Sequence, residues 1–383
     1  MKTCGIFTGY GRRFGVSDST RPESNTLKEI ILSTPRIFRH LLIVGAAVTL
    51  FVGTVQAATS EKVQLEYWEK WNAFEGEAMQ SIVDDFNHSH DRIHVTYLPV
   101  SQINRKLMLA TAGGVPPDIA GIWSRDIPIF SENNALLPLD QFITPESGIH
   151  EEKYHPIFWR ICVHQHRLWA LPSTPSVVAL HWNKKMFREA GLDPEQPPRD
   201  LAELERFNER LTKRRPDGTI ERIGYVPNQP DWWTISLSQW FGTDVWDGKR
   251  TIIVGNEGNR AMLQWLQSYP SRFGGQNLLS LSDGFGQFAS SQNPFLTGRV
   301  AMVMQGVWMD NYIKRYGPVD FEYGVAPFPS VDPVRFPNVT VAESDVLVIP
   351  AGARHPQESQ WHDLPRRPLR GRHSPRRCGR LAQ

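Results

Sequence analysis

The chain has 383 residues, 40% hydrophobic and 21% charged, which is enough for two ordinary globular domains and too apolar for a disordered or collagen-like polymer. With 42 Lys and Arg against 40 Asp and Glu, the formal charge of +2 supplies no global field for gathering nucleic acid or an anionic membrane. The composition departs from the ordinary in tryptophan, with 13 copies, 12 of them between Trp68 and Trp308, more than a core of this size needs.

Residues 1–35 carry no pattern and are expected to be unstructured or to precede the true start. Arg36, Arg39 and His40 then lead into an apolar run from Leu41 to Val52, closed by the small-residue pattern Val55-Gln56-Ala57-Ala58. This spacing predicts a secretory signal over 36–57, cleaved near Ala57, and hence a periplasmic protein. The run is shorter than the roughly 20 residues that span a bilayer. No Cys follows it to carry a lipid, and Cys4, Cys162 and Cys378 are too scattered for a disulfide framework.

Strands and helices alternate from there on. Val63, Leu65 and Tyr67 read as a half-buried strand, and Met79, Ile82, Val83 and Phe86 as one helix face. Ile93, Val95 and Tyr97 give a second strand. Ile103, Leu107 and Ala110 give a second helix, stopped at Gly113-Gly114, and Asp118 to Trp123 give a third strand. The order βαβαβ implies a parallel sheet with helical crossovers. Further strands are expected at Val177 to Asn183, Val300 to Met304 and Val346 to Ile349. Helices are expected around Leu201, Leu204 and Leu211, where Asp200 and Glu203 have capping-box spacing, and around Met262, Trp265, Leu266 and Tyr269.

Two placements follow from the residues themselves. The loop Trp68-Glu69-Lys70-Trp71 and the segment Trp123-Ser124-Arg125-Asp126 both stand at carboxyl ends of parallel strands, where open α/β sheets hold ligands. Glu69, Trp71, Trp123 and Asp126 are therefore candidate contacts; the competing account puts Trp68 in the core, Lys70 in solvent and Arg125 against Asp126 or a surface acid. Asp231-Trp232-Trp233 sets two adjacent indoles that cannot share one side of an element, so one is expected to be exposed or to line a cavity. Trp240 and Trp246 are expected in the core or at a rim.

A series of segments carries a resemblance. Pro116-Pro117-Asp118-Ile119, Leu168-Trp169-Ala170-Leu171-Pro172, Trp182-Asn183-Lys184-Lys185-Met186-Phe187 and Ala190-Gly191-Leu192-Asp193-Pro194 follow in order. After them come Asn293-Pro294-Phe295-Leu296-Thr297-Gly298, Gln305-Gly306-Val307-Trp308 and Val325-Ala326-Pro327-Phe328-Pro329. From about Glu61 to Pro356 the chain resembles the family 1 extracellular solute-binding proteins of sugar ABC importers, similar in plan to maltose-binding protein. The resemblance implies an α/β, two-lobed periplasmic-binding-protein fold with a hinge and a ligand held in the interlobe cleft. It implies a first lobe over 58–172, a second mainly over 173–340, and re-entry through the hinge at 341–353. It adds Thr174, the Gly-x-Trp residue Trp308 and Glu343 as expected ligand contacts beside Trp232 and Trp233.

Such a receptor needs no nucleophile, metal or cofactor. A pyranose offers apolar C–H faces and a belt of hydroxyls, matched by flat aromatic rings and by carboxylates or amides. The expected protein is thus a monomeric, non-enzymatic receptor passing a mono- or oligosaccharide to a membrane permease and its ATPase, with no nucleic-acid partner. A polyol or glycerol-phosphate receptor is the alternative, calling for a cleft cation for which Lys70 and Arg125 are the candidates. A glycoside hydrolase, with a carboxylate pair such as Glu69 and Asp126, is the enzyme alternative. Cys162, His164 and His166 at i, i+2, i+4 could share a strand face and bind metal, yet they fall where the family has a polar hairpin tip.

The C-terminal stretch departs from the family. Residues 354–383 hold eight Arg, four Pro and three His without apolar periodicity, where the family's terminal helices are expected. A basic tail or an out-of-frame terminus is expected there, leaving the fold truncated and apolar surface uncovered.

Overall fold

The computed structural model describes residues 62–248 and 251–359; the start over 1–35, the signal over 36–57 and the tail beyond Ser359 lie outside the described residues. Strand β1 (Val63–Glu69) buries Leu65, Tyr67 and Glu69 on one face, the parity its alternation predicts. Helix α1 (Ala73–Ser89) crosses to β2 (Ile93–Pro99), and α2 (Ile103–Ala112) to β3 (Ile119–Trp123). Both β2 and β3 pair parallel with β1, in registers Val63↔Ile93 and Tyr67↔Ile119. Val83 and Phe86 of α1 pack with Leu65, Ile93, Val95 and Ile119 into one cluster. Asn87 fastens the end of α1 to β2, donating from Nδ2 to the Val95 carbonyl at 2.8 Å while Oδ1 accepts from the Val95 amide at 2.7 Å.

Helices α3 (Ile127–Glu132) and α4 (Pro156–Arg160) precede a hairpin of β4 (Val163–His164) and β5 (Arg167–Leu168). Gln165 and His166 form its tip at φ 48° and 61°. His166 is therefore in the turn and not on a strand with His164, while Cys162 is buried and the His164 ring bonds Glu132 at 2.9 Å. Among the described residues no cluster of three or more His, Cys, Asp or Glu could hold a metal ion.

The long strand β6 (Leu171–Asn183) joins the two halves of the molecule. Its first part, to Val177, pairs antiparallel with the last strand, and its second part, from Val178, pairs with two strands of the second half. The lobe boundary expected at 172/173 thus falls inside β6. Then follow α5 (Lys184–Glu189), α6 (Leu201–Leu211), the short hairpin β7 (Lys213–Arg214) and β8 (Ile220–Arg222), and a 3₁₀ turn over Asp231–Trp233. The start of α6 is capped as its sequence predicts: Asp200 Oδ1 accepts from the Glu203 amide at 2.7 Å. The rest comprises α7 (Glu257–Phe273), α8 (Gly275–Asp283), β9 (Met302–Gly306), α9 (Met309–Tyr316), β10 (Tyr323–Ala326) and β11 (Ala342–Val348).

Apart from the β4-β5 and β7-β8 hairpins, the strands lie on one path, β10-β6-β11-β3-β1-β2, with β9 pairing on β6. Strand β11 returns antiparallel to β3 (Val346↔Ile122), so the chain's late segment closes the first half's sheet. The second half has its own cores. Leu180, Trp182, Phe187, Leu204, Trp240 and Met262 belong to a large one. Phe295, Val303, Met309, Tyr312 and Ile313 belong to a smaller one. Beyond β11, His355 bonds the Asp118 carboxylate through its amide at 3.1 Å, and residues 356–359 make a turn. An apolar cavity of about 140 Å³ lies beside this turn, walled by Leu65, Met79, Phe86, Val95, Leu347 and Ser359.

Candidate functional site

Where β6 and β11 run between the halves, a cavity of about 350 Å³ opens. Trp71 and Trp123 wall it from the carboxyl ends of β1 and β3, Trp232 and Trp233 from the 3₁₀ turn, and Trp308 from the step between β9 and α9. Five indoles thus meet around one hollow. Trp233 lies face to face with Trp308, centroids 6.3 Å apart and planes at 22°, while Trp232 tilts over Trp308 at 6.2 Å. The turn divides the adjacent pair: Trp232 is 50% exposed and Trp233 is 3% exposed. The Trp233 Nε1 is a buried donor with no partner in the protein. The Trp308 indole donates to Gln305 Oε1 at 2.7 Å and folds back over Gly306, where any Cβ would come within 2.4 Å of the ring. That contact gives the Gly-x-Trp spacing its physical reason.

Polar groups line the rest. Lys70 Nζ lies 2.8 Å from Asp345 Oδ1 and 2.9 Å from Glu69 Oε1, and sits over the Trp71 and Trp123 rings at 4.9 and 5.1 Å. Arg125 pairs with Glu343 at 2.8 Å and covers the Trp123 ring at 5.0 Å. Glu75, in the first turn of α1, accepts from the Tyr312 hydroxyl at 3.2 Å, and burial raises its pKa. Each cation lining the cavity is therefore matched by a carboxylate.

Six of the expected contacts line this cavity: Trp71, Trp123, Trp232, Trp233, Trp308 and Glu343. Three do not. Glu69 is 0% exposed, since strand parity puts it on the inner face with Leu65 and Tyr67. It accepts from the Tyr67 hydroxyl at 2.9 Å and supports Lys70 from below. Its carboxylate lies against β3 where Gly121 has no side chain, and a Cβ there would stand 1.7 Å from Oε2. Asp126 accepts from Asn104 Nδ2 at 2.6 Å instead of facing the cavity, and burial raises its pKa. Thr174 donates to Asp345 Oδ2 at 3.1 Å and reaches the site only through that residue. Lys70, solvated in the competing account, is instead an enclosed ion-pair partner, while Arg125 pairs with an acid as that account allows, the acid being Glu343. Trp240 is in the core, whereas Trp246 is half exposed and away from the cavity.

The lining residues that sequence reasoning missed include Glu75, Tyr312 and Asp345. Tyr312 stands four residues after Trp308, and Asp345 two after Glu343 on the same strand, so helical and strand periodicity would have placed both beside residues already chosen.

The family model for bacterial extracellular solute-binding proteins matches residues 73–361. The chain belongs to this family. Among curated bacterial and archaeal solute-binding relatives, it is 23% identical to the maltotriose-binding protein of Pyrococcus abyssi over 265 residues, 69% of this chain and 53% of that protein. It is 25% identical to the sn-glycerol-3-phosphate-binding periplasmic protein UgpB of Yersinia pseudotuberculosis over 304 residues, 76% of this chain and 66% of that one. The chain thus spans between about half and two thirds of these relatives' own length. Among solved structures, this solute-binding protein resembles CpMnBP1 with mannotriose bound, at TM-score 0.71 and 29% identity, covering 78% of this chain and 76% of that one. UgpB from Mycobacterium tuberculosis in complex with glycerophosphocholine shares the fold at TM-score 0.64 and 17% identity, over 79% and 73% of the two chains.

Proposed function

We propose that this chain is the ligand-capturing receptor of a sugar ABC importer, holding an uncharged mono- or oligosaccharide between its two halves and passing it to a membrane permease coupled to an ATPase. The single observation that carries this reading is the convergence of five indoles on one cavity of about 350 Å³. Flat apolar faces with hydrogen-bonding groups between them suit a pyranose, and the volume lies within the ordinary range for small-molecule sites. Trp71, Trp123, Trp232, Trp233 and Trp308 stack on or border the sugar, and Glu343 meets its hydroxyls. The resemblance to a protein solved with mannotriose supports an oligosaccharide.

The alternative of a glycerol-phosphate-like solute is favoured by the kinship to UgpB. It is opposed by charge. An anion needs a free cation, and Lys70 and Arg125 are engaged by Asp345, Glu69 and Glu343. The burial of Glu69 against Lys70 and the bond of Asp126 to Asn104 oppose a hydrolase, whose two carboxylates must be free to give and take protons. Export through the signal over 36–57 and a monomeric, periplasmic life belong to the same proposal.

Calorimetric titration of the purified chain with manno- and malto-oligosaccharides and with glycerol 3-phosphate tests the reading. Saturable binding of a neutral sugar without turnover supports it; binding of glycerol 3-phosphate alone, or sugar hydrolysis, overturns it.

A further inference from the structure

Besides the continuous strands, the two halves touch through the start of α1. Phe74 belongs to the first half by sequence, yet its ring packs on the small aromatic core of the second half, beside Tyr312 and Ile313. It meets Tyr312 edge-on at 6.1 Å and 87°, and Tyr316 at 6.0 Å and 74°. The Arg315 guanidinium covers it at 5.0 Å. The next residue, Glu75, accepts from the Tyr312 hydroxyl at 3.2 Å. Two adjacent residues therefore engage three side chains of α9, which itself begins beside the cavity's Trp308.

The backbone leading into this contact is unrelaxed. Ala73 sits at φ 48°, a left-handed conformation that costs a non-glycine residue energy, and Asn72 gives α1 no side-chain cap. A strained alanine persists where its surroundings over-determine it. Here the contacts of Phe74 and Glu75 with α9 do so.

We propose that Phe74 and Glu75 form an interlobe latch that sets ligand affinity by fixing how fully the two halves close, with Phe74 a positioning residue that stays clear of the ligand. Phe74 is absent from the cavity wall, whereas Glu75 and Tyr312 line it. Seating the ring brings α1 and α9 together, which carries Trp71 and Trp308 toward a common ligand. Because a receptor's apparent affinity scales with the fraction of molecules in the competent state, weakening the latch lowers affinity for every ligand by the same factor.

The proposal rests on the cavity being the ligand site, but its decisive measurement needs no ligand. Small-angle X-ray scattering of the ligand-free chain compares wild type with Phe74→Ala, Phe74→Leu and Tyr316→Ala. The alanine variants are expected to show a larger radius of gyration, with Phe74→Leu intermediate. Saccharide affinity is expected to fall about tenfold in Phe74→Ala, with the ranking of sugars unchanged and the compact radius restored at saturation. Should Phe74→Ala fail to fold, Tyr316→Ala carries the same test from the opposite wall. An unchanged ligand-free radius in the folded variants overturns the latch. A changed radius in a protein that binds no sugar would instead retain the latch and remove the proposed function.

Discussion

Lys70 and Asp345 meet at 2.8 Å although one directly follows the first strand and the other belongs to the last. The bond fastens the returning strand β11 to the floor of the cavity, and the fully buried Glu69 holds the same ammonium from below. Replacing Lys70 by Met leaves Glu69 an uncompensated buried charge. The expected loss of stability is about 3 kcal/mol, the range for removing one partner of a buried pair. Urea unfolding checks it, and the double variant Lys70→Met/Glu69→Gln should recover much of the loss because the orphaned charge is gone. Equal stabilities of Lys70→Met and wild type would show that the pair does not matter to the fold.

The ring of Trp308 occupies the space that a side chain at residue 306 would need. Gly306→Ala must displace either the indole or the end of β9, at a cost of about 1 to 3 kcal/mol for overpacking. Sugar affinity should fall in parallel, since the stacked Trp233 and Trp308 pair loses its geometry. Thermal melts and titration calorimetry check the two effects, and a normal affinity in the folded variant would count against Trp308 as a platform.

The first half of the fold was legible because its segments obey two periods. Leu65 and Tyr67 alternate, Val83 and Phe86 recur on one helix face, and the parallel order of β1, β2 and β3 follows. The indoles of the cavity were legible for a different reason: Trp71 and Trp123 sit at strand ends, and Trp232 and Trp233 are too many for one side of a turn. Glu69 was misplaced by attending to its position at the strand end and not to its parity with Leu65 and Tyr67, which already turned it inward. Asp345 and Tyr312 share a face with Glu343 and Trp308, but their pairings with Lys70 and Glu75 stayed hidden because those partners lie in a distant part of the chain. No local pattern records a pairing that only the return of β11 and the approach of α9 create.

His181 in β6 is buried and stacked on Tyr323, and burial pulls its pKa down to about 4. The folded state therefore keeps the ring neutral where an unfolded histidine, titrating near 6.5, takes up a proton. Above about pH 6.5 the residue costs nothing. As pH falls from there toward 4, the unfolded chain gains the proton first, and stability declines by up to about 3 kcal/mol. Denaturant unfolding of wild type and His181→Gln between pH 7.5 and pH 4 measures this as a difference in slope. Parallel slopes would mean that the ring is hydrated or already protonated in the folded protein.

Trp308 and Trp246 make a matched pair for separating stacking from mere exposure. Both are indoles of the second half. Trp308 lines the cavity and contacts Trp232 and Trp233, while Trp246 is 48% exposed and lies away from it. Removing a central aromatic from a desolvated site commonly costs ~2 kcal/mol, which is about a 30-fold loss of affinity. Trp308→Ala should therefore weaken saccharide binding by about that factor, whereas Trp246→Ala should leave it within about twofold, an ordinary result for a residue outside the contact. Calorimetry on the two folded variants gives the comparison directly. Equal losses would mean that the ligand lies elsewhere, because a stacking platform and an indole outside the cavity cannot contribute alike to one bound sugar.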